Sequence, residues 1–483
     1  MSAMKDKSTS FYIHNIIMFA AAIVFYFIPP FVDTITPYGM RVIGVFLAVL
    51  WGWTFLGFMW PSLFGMGALA IAGYPGSFTA VFQAGFSNQM FITIFVMFML
   101  VQYLMDAGLV DYVAGWFMTR KIAEGRPWVL LTMILLGTGF LTMMNLGFAA
   151  MFIMWAIMYS IFNVLGYKKG DMLVTFMIYG AALCVGLAGS VLPFMPLPVM
   201  FSGWIANAGG TYQAVPWMIW SLVFFLLFAV MYIAVGKYVL KLNVQPFIDN
   251  KKVVQEVYQM KAMTVEQKIA SICMVVFLAV ALLPSFMPAS AFQAKLASFG
   301  AVGAAIVVVV ITSLIRVNGK PITNWTYNIK QGMNWDLLIM FALTTPLGNA
   351  LEGADAGIIP TLIGYLLPIL SNMSDAMFII IVLGFFVIFT QIAHNVVLII
   401  ALSPTLLSLA VALGINPTLL AAGICVIAQA AFMTPAASSP SAAVFGNTDW
   451  VDSKQAYIVG TVIVVLAIIS AAVCYPLGAM FLF

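Results

Sequence analysis

Two asparagines stand out as groups able to do chemistry inside an otherwise apolar chain. Asn145 lies in GTGFLTMMNLG (137–147) and Asn395 lies in TQIAHN (390–395), 250 residues later. Each amide offers a carbonyl oxygen and two N–H donors, a set that suits both a sodium ion and an anion. A lone membrane asparagine commonly makes only an interhelical hydrogen bond, whereas a pair at matching positions points to a site. His394 adjoins the second asparagine. Ionisable groups inside a membrane are costly and commonly functional, and imidazole, with an unperturbed pKa of about 6.5, titrates near neutrality. The residue reads as a packing group, a substrate contact or a proton-responsive group.

Other chemistry is excluded by type and spacing. Cys184, Cys273, Cys425 and Cys474 are scattered, and with His14 and His394 they make no metal-ligand pattern. The H-E-x-x-H pair of zinc proteases is missing. The fifteen carboxylates fall at the ends of apolar runs, in the N-terminal tail or in one long polar connection, so no buried acidic relay is visible.

The elements that must position these residues follow from composition. Of 483 residues, 64% are apolar and only 7% are charged, against about 25% charged in soluble domains. Such a chain uses a bilayer as its solvent, which predicts an all-α polytopic membrane protein. A net charge of +4 is too small to suggest nucleic acid. Apolar runs at 14–32, 38–60, 88–107, 172–205, 216–240, 267–287, 295–315, 335–352, 417–447 and 455–482, with a shorter one at 61–75, predict about 11 transmembrane helices. Runs 127–165 and 376–413 are too long for one crossing and carry polar or small residues at their centres. They read as re-entrant hairpins, whose irregular tips are tolerated only in protein or beside a wet cavity.

The halves match at a nearly constant offset. LMDAGLV around Asp106 corresponds to GADAGII around Asp355, Asn145 to Asn395, and the break GLAGSVLPFMPLP (186–198) to FMTPAASSPSAA (432–443). An inverted repeat with broken helices at matching positions is the sequence mark of a secondary transporter and its binding site. The reading divides the chain into N-terminal scaffold spans (1–75), a first repeat (76–242) with its hairpin and the broken helix 172–205, a solvated cytoplasmic linker (243–266), and a second repeat (267–483) with its hairpin and the broken helix 417–447. Basic residues crowd one side, 17 of them, with only Arg41 and Lys295 opposite. The positive-inside rule places that side and the N-terminus in the cytoplasm. The N-terminal stretch lacks a small-residue cleavage site, so the first apolar run reads as a retained span in the cell inner (cytoplasmic) membrane.

The segment Ala431–Gly446, AFMTPAASSPSAAVFG, closely resembles AFMLPVATPPNAIVFG, a signature of the divalent anion/sodium symporter family. WDLLIMFAL (335–343) and MDAGLVDYVAGWFM (105–118) extend the likeness over nearly the whole chain. The resemblance implies a homodimer in which a transport domain moves, elevator-like, against a scaffold. It implies sodium as coupling ion, no other cofactor, and a small organic anion, di- or tricarboxylate-like, as substrate. Relatives carry a Ser-Asn-Thr triplet at each tip; here the triplets are Met144-Asn145-Leu146 and His394-Asn395-Val396, which keep both asparagines and lose all four hydroxyls. By the same resemblance Asn145, Thr390, Asn395 and the Ala437 carbonyl would hold sodium. Asn145, His394, Asn395, Ser438, Ser439 and Pro440 would meet the substrate.

Three other readings stay open on the residues alone. A proton-coupled carrier or an anion exchanger would use His394. A membrane-embedded transferase would need a carboxylate pair or metal ligands near the interface. A channel would need a continuous pore where the repeat instead offers two broken helices.

Overall fold

The computed structural model describes residues 3–257, 259–370 and 373–483. Helix α1 (Ala3–Phe27), α2 (Pro37–Phe55) and α3 (Met59–Ala72) open the chain, followed by α4 (Gln89–Asp106). Next come α5 (Pro127–Met143) and α6 (Gly147–Leu165), then α7 (Met172–Leu187), α8 (Pro196–Asn207) and α9 (Ala214–Ala234). The second half holds α10 (Val265–Leu282), α11 (Gly300–Leu314), α12 (Trp335–Glu352), α13 (Asp375–Phe389) and α14 (Asn395–Ala412). It ends with α15 (Pro417–Ala428), α16 (Ser439–Gly446) and α17 (Ser453–Phe481). Short helices connect these, and the one two-stranded pairing among the described residues joins Arg316–Val317 to Lys320–Pro321. The chain is an all-α polytopic membrane protein. Nine of the described helices are long and apolar enough to cross a bilayer, or ten when one bent pair counts as a single span.

Both long apolar runs are pairs of helices joined by a short turn: α5 and α6 around residues 144–146, α13 and α14 around 390–394. Both Gly/Pro-rich segments interrupt a helix, between α7 and α8 and between α15 and α16. One order therefore occurs twice: a full helix (α4 or α12), a hairpin, a broken helix, and a long closing helix (α9 or α17). Within each copy the first part of the broken helix packs against both arms of its hairpin. That placement explains why α7 and α15 lack a polar face: a helix surrounded by protein is apolar all round, and residues 418–428 of α15 are buried throughout.

Aromatic anchors fix these layers. Tyr232 on α9 donates 2.6 Å to the Phe176 carbonyl and stacks on that ring at 4.0 Å. Trp217 Nε1 donates to the Ser190 carbonyl in the first break, and Trp220 Nε1 donates to the Cys474 carbonyl of α17, each at 2.8 Å. Gly460 lets α17 lie against the second break, since a Cβ there would stand 2.4 Å from the Phe432 carbonyl oxygen. A second group of contacts ties α1 to α2, α2 to α3, α3 to α12, and α4 to α11 and α12.

Three stretches differ from the sequence reading. The first helix ends at Phe27 instead of near 32. Residues 295–315 are no single straight span, because Ala291–Ala297 and Gly300–Leu314 meet at 73°. The polar connection after α9 is partly docked: Tyr167 Oη donates 2.8 Å to the Asn243 carbonyl, and Phe247 and Val253 are buried.

Candidate functional site

At the second tip the expected residues come together. The backbone N–H of Asn395, the first residue of α14, donates 2.9 Å to the Ala437 carbonyl just before α16. Hairpin and break are thus joined at the point where both helices begin. The Asn395 side chain is buried; its Oδ1 accepts from Val396 N at 2.8 Å and its Nδ2 donates to Gln429 Oε1 at 2.9 Å. Thr390 is also buried, its hydroxyl donating 2.5 Å to the Phe386 carbonyl and accepting from Gln391 Nε2 at 3.2 Å.

Gln391, which its sequence pattern does not single out, organises the break. A broken helix frees backbone groups that protein must satisfy where water is excluded. The Gln391 Oε1 accepts from the N–H groups of Phe432 and Met433, both at 3.1 Å. Its Nε2 donates to the Val387 carbonyl at 3.0 Å, and its own carbonyl accepts from Thr434 Oγ1 at 2.7 Å. Two serines finish the turn: Ser438 Oγ donates to the Ala431 carbonyl at 2.7 Å while capping Ser441 N, and Ser441 Oγ donates to the Thr434 carbonyl. Ser438 and Pro440 are buried, whereas Ser439 is exposed and lies 3.3 Å from His394 Nε2. The His394 ring also stands T-shaped to the Phe58 ring at the start of α3, with centroids 5.7 Å apart. His394 occupies the N-cap position of α14 without a side-chain capping bond and Ser438 caps α16, so two helix N-termini converge on the His394–Ser439 pair. The positive dipole ends of the two helices make such a point favourable for an anion.

Asn145 sits apart from this cluster, at the first tip. It takes a left-handed backbone with φ +63°, a conformation that asparagine tolerates better than most residues. Its N–H donates 2.8 Å to the Thr142 carbonyl, and its side-chain amide makes no hydrogen bond among the described residues. The first three N–H groups of α6 begin beside it and have no intrahelical partner. The two tips connect through the first break. A Cβ on Gly147 would contact Val185, and one on Gly186 would stand 3.0 Å from both the Gln429 Cβ and its carbonyl oxygen. Gln429 in turn holds Asn395. The first break lacks the serine caps of the second: α8 starts from Met195 with no side-chain cap, and Pro196 and Pro198 remove two of its first N–H donors.

A duplicated hairpin and broken helix in an all-α membrane chain mark a secondary transporter. The comparison of sequences sharpens this: the family described as sodium:sulfate symporter, transmembrane region, matches residues 9–482, and the chain belongs to that family. It is a sodium-coupled anion symporter, a transporter and not an enzyme, with sodium as coupling ion and no cofactor. No curated protein matches the chain.

Proposed function

We propose that the chain carries a small organic anion, di- or tricarboxylate-like, across the cytoplasmic membrane by an elevator-type movement of its two hairpins and broken helices. The observation that carries this reading is the convergence of the α14 and α16 N-termini beside buried side-chain and backbone oxygens. In this reading Thr390 Oγ1, the Asn395 amide and the Ala437 carbonyl hold sodium, each keeping a lone pair beyond its internal hydrogen bond. His394, Ser439 and the α16 N-terminus, shaped by Ser438 and Pro440, receive the anion. Asn145 supplies a ligand to sodium and a donor to the anion from the first tip. Donors at two tips favour an anion with more than one polar end.

The split of contacts supports the elevator. Helices α1–α4 and α10–α12 pack mainly with one another, and α5–α9 with α13–α17. The first group, built on residues 1–75, is the scaffold, and the hairpins of repeats 76–242 and 267–483 ride on the second. The linker 243–266 and the N-terminus face the cytoplasm, as the 17-to-2 bias in basic residues supports. The family resemblance supports a homodimer. Uptake into proteoliposomes of labelled succinate, citrate, a monocarboxylate and sulfate, each with and without sodium, tests the reading. Sodium-dependent uptake of a di- or tricarboxylate is expected; uptake of sulfate alone would replace the organic anion.

A further inference from the structure

A second polar feature lies far from the tips, where α1, α2 and α3 end or begin at one level. Between them is a crevice of about 330 Å³. Phe19 and Ile23 of α1, Val45 of α2, and Phe64 and Ala68 of α3 form its apolar walls. Arg41 stands at its mouth and is the one charged residue of α2 and α3. Its guanidinium lies 4.4 Å over the Tyr26 ring, and Nη1 donates 3.3 Å to the Ala72 carbonyl, the last residue of α3. Its Nε is buried with no hydrogen-bond partner, and no carboxylate pairs with it among the described residues.

This is the pattern of an amphiphile's binding site. Arg41 lies one turn inside α2, level with the ends of α1 and α3, and a tyrosine at such a level is typical of the membrane–water interface. From Phe27 to Phe19, and from Ala72 to Phe64, the walls run about 12 Å inward at 1.5 Å per helical residue. Ile23 and Ile71 are more than half exposed, so the crevice opens sideways to its surroundings. A guanidinium held by a ring face and one backbone carbonyl, with no carboxylate beside it, keeps its charge available to an anion, and its planar fork fits phosphate oxygens. We propose that the crevice holds one anionic phospholipid of the bilayer, with an acyl chain between α1 and α3 and its phosphate on Arg41. The occupant would brace α2 and α3, which both pack on α12.

The test is native mass spectrometry of the full chain, titrated with phosphatidylglycerol and phosphatidylcholine of the same acyl chains. The wild-type protein should bind one phosphatidylglycerol about fivefold more tightly, the preference expected from one basic residue near a membrane surface. Arg41→Gln should abolish the preference, Arg41→Lys should keep most of it, and Ala68→Phe should lower occupancy by both lipids. An unchanged preference in Arg41→Gln would overturn the proposal. So would disulfide cross-linking of two copies through Ile23→Cys, which would show a second protomer filling the crevice.

Discussion

The two hairpin tips carry the same amide in opposite states. Asn395 is buried and bonded on both sides of its side chain, and its backbone N–H is tied to the opposing break. Asn145 stands in a three-residue turn with a left-handed backbone and a side chain unbonded among the described residues. The difference traces to the breaks they face. In the second, Gln391, Ser438 and Ser441 satisfy the freed backbone and hold its oxygens in place. In the first, prolines remove donors and no side chain caps α8. A symmetric sequence mark thus yields one tip bonded throughout and one whose amide is left open.

The largest effect should come from removing the organiser of the second tip. Gln391→Leu orphans the Phe432 and Met433 N–H groups, each costing about 1–3 kcal/mol. A clear fall in melting temperature by scanning fluorimetry and loss of uptake are expected. A stable, active Gln391→Leu protein would break the contrast between the tips.

The paired amides should separate next. Asn395→Ala removes a proposed ligand and two internal hydrogen bonds, so both thermal stability and uptake should drop. Asn145→Gly keeps the left-handed turn without strain, so stability should stay within about 1 kcal/mol. Uptake affinity should still weaken by about tenfold, the loss of one hydrogen-bonding partner. Equal destabilisation by both changes would show that the two tips are built alike.

Much of this arrangement was legible in the residues, and the reasons it was not complete are physical. The hairpins show because apolar runs too long for one crossing carry polar centres, and the breaks show because glycine and proline cannot continue a helix. Asn145 and Asn395 show through their common offset. Gln391 and Gln429 do not, because neither has a counterpart in the first repeat and each acquires its role only when a break packs against a tip. The one available signal was a buried-type amide beside each irregular segment, in TQIAHN and in IAQAAF. Nor does the sequence tell Ser438 from Ser439; only the fold turns one inward as a cap and the other out toward His394.

A smaller effect is expected at the exposed Ser439. Ser439→Ala should weaken anion affinity by about fivefold, the worth of roughly one hydrogen bond of 1 kcal/mol, and leave the sodium requirement unchanged. A shift in sodium dependence with constant anion affinity would move Ser439 from the anion to the ion.

The central claim is that the second tip holds the coupling ion, and the sodium concentration for half-maximal uptake by Thr390→Val tests it most directly. Loss of this buried hydroxyl should raise that concentration by about tenfold, while anion affinity at saturating sodium stays close to wild type. An unchanged sodium dependence in a well-folded Thr390→Val protein would contradict the account.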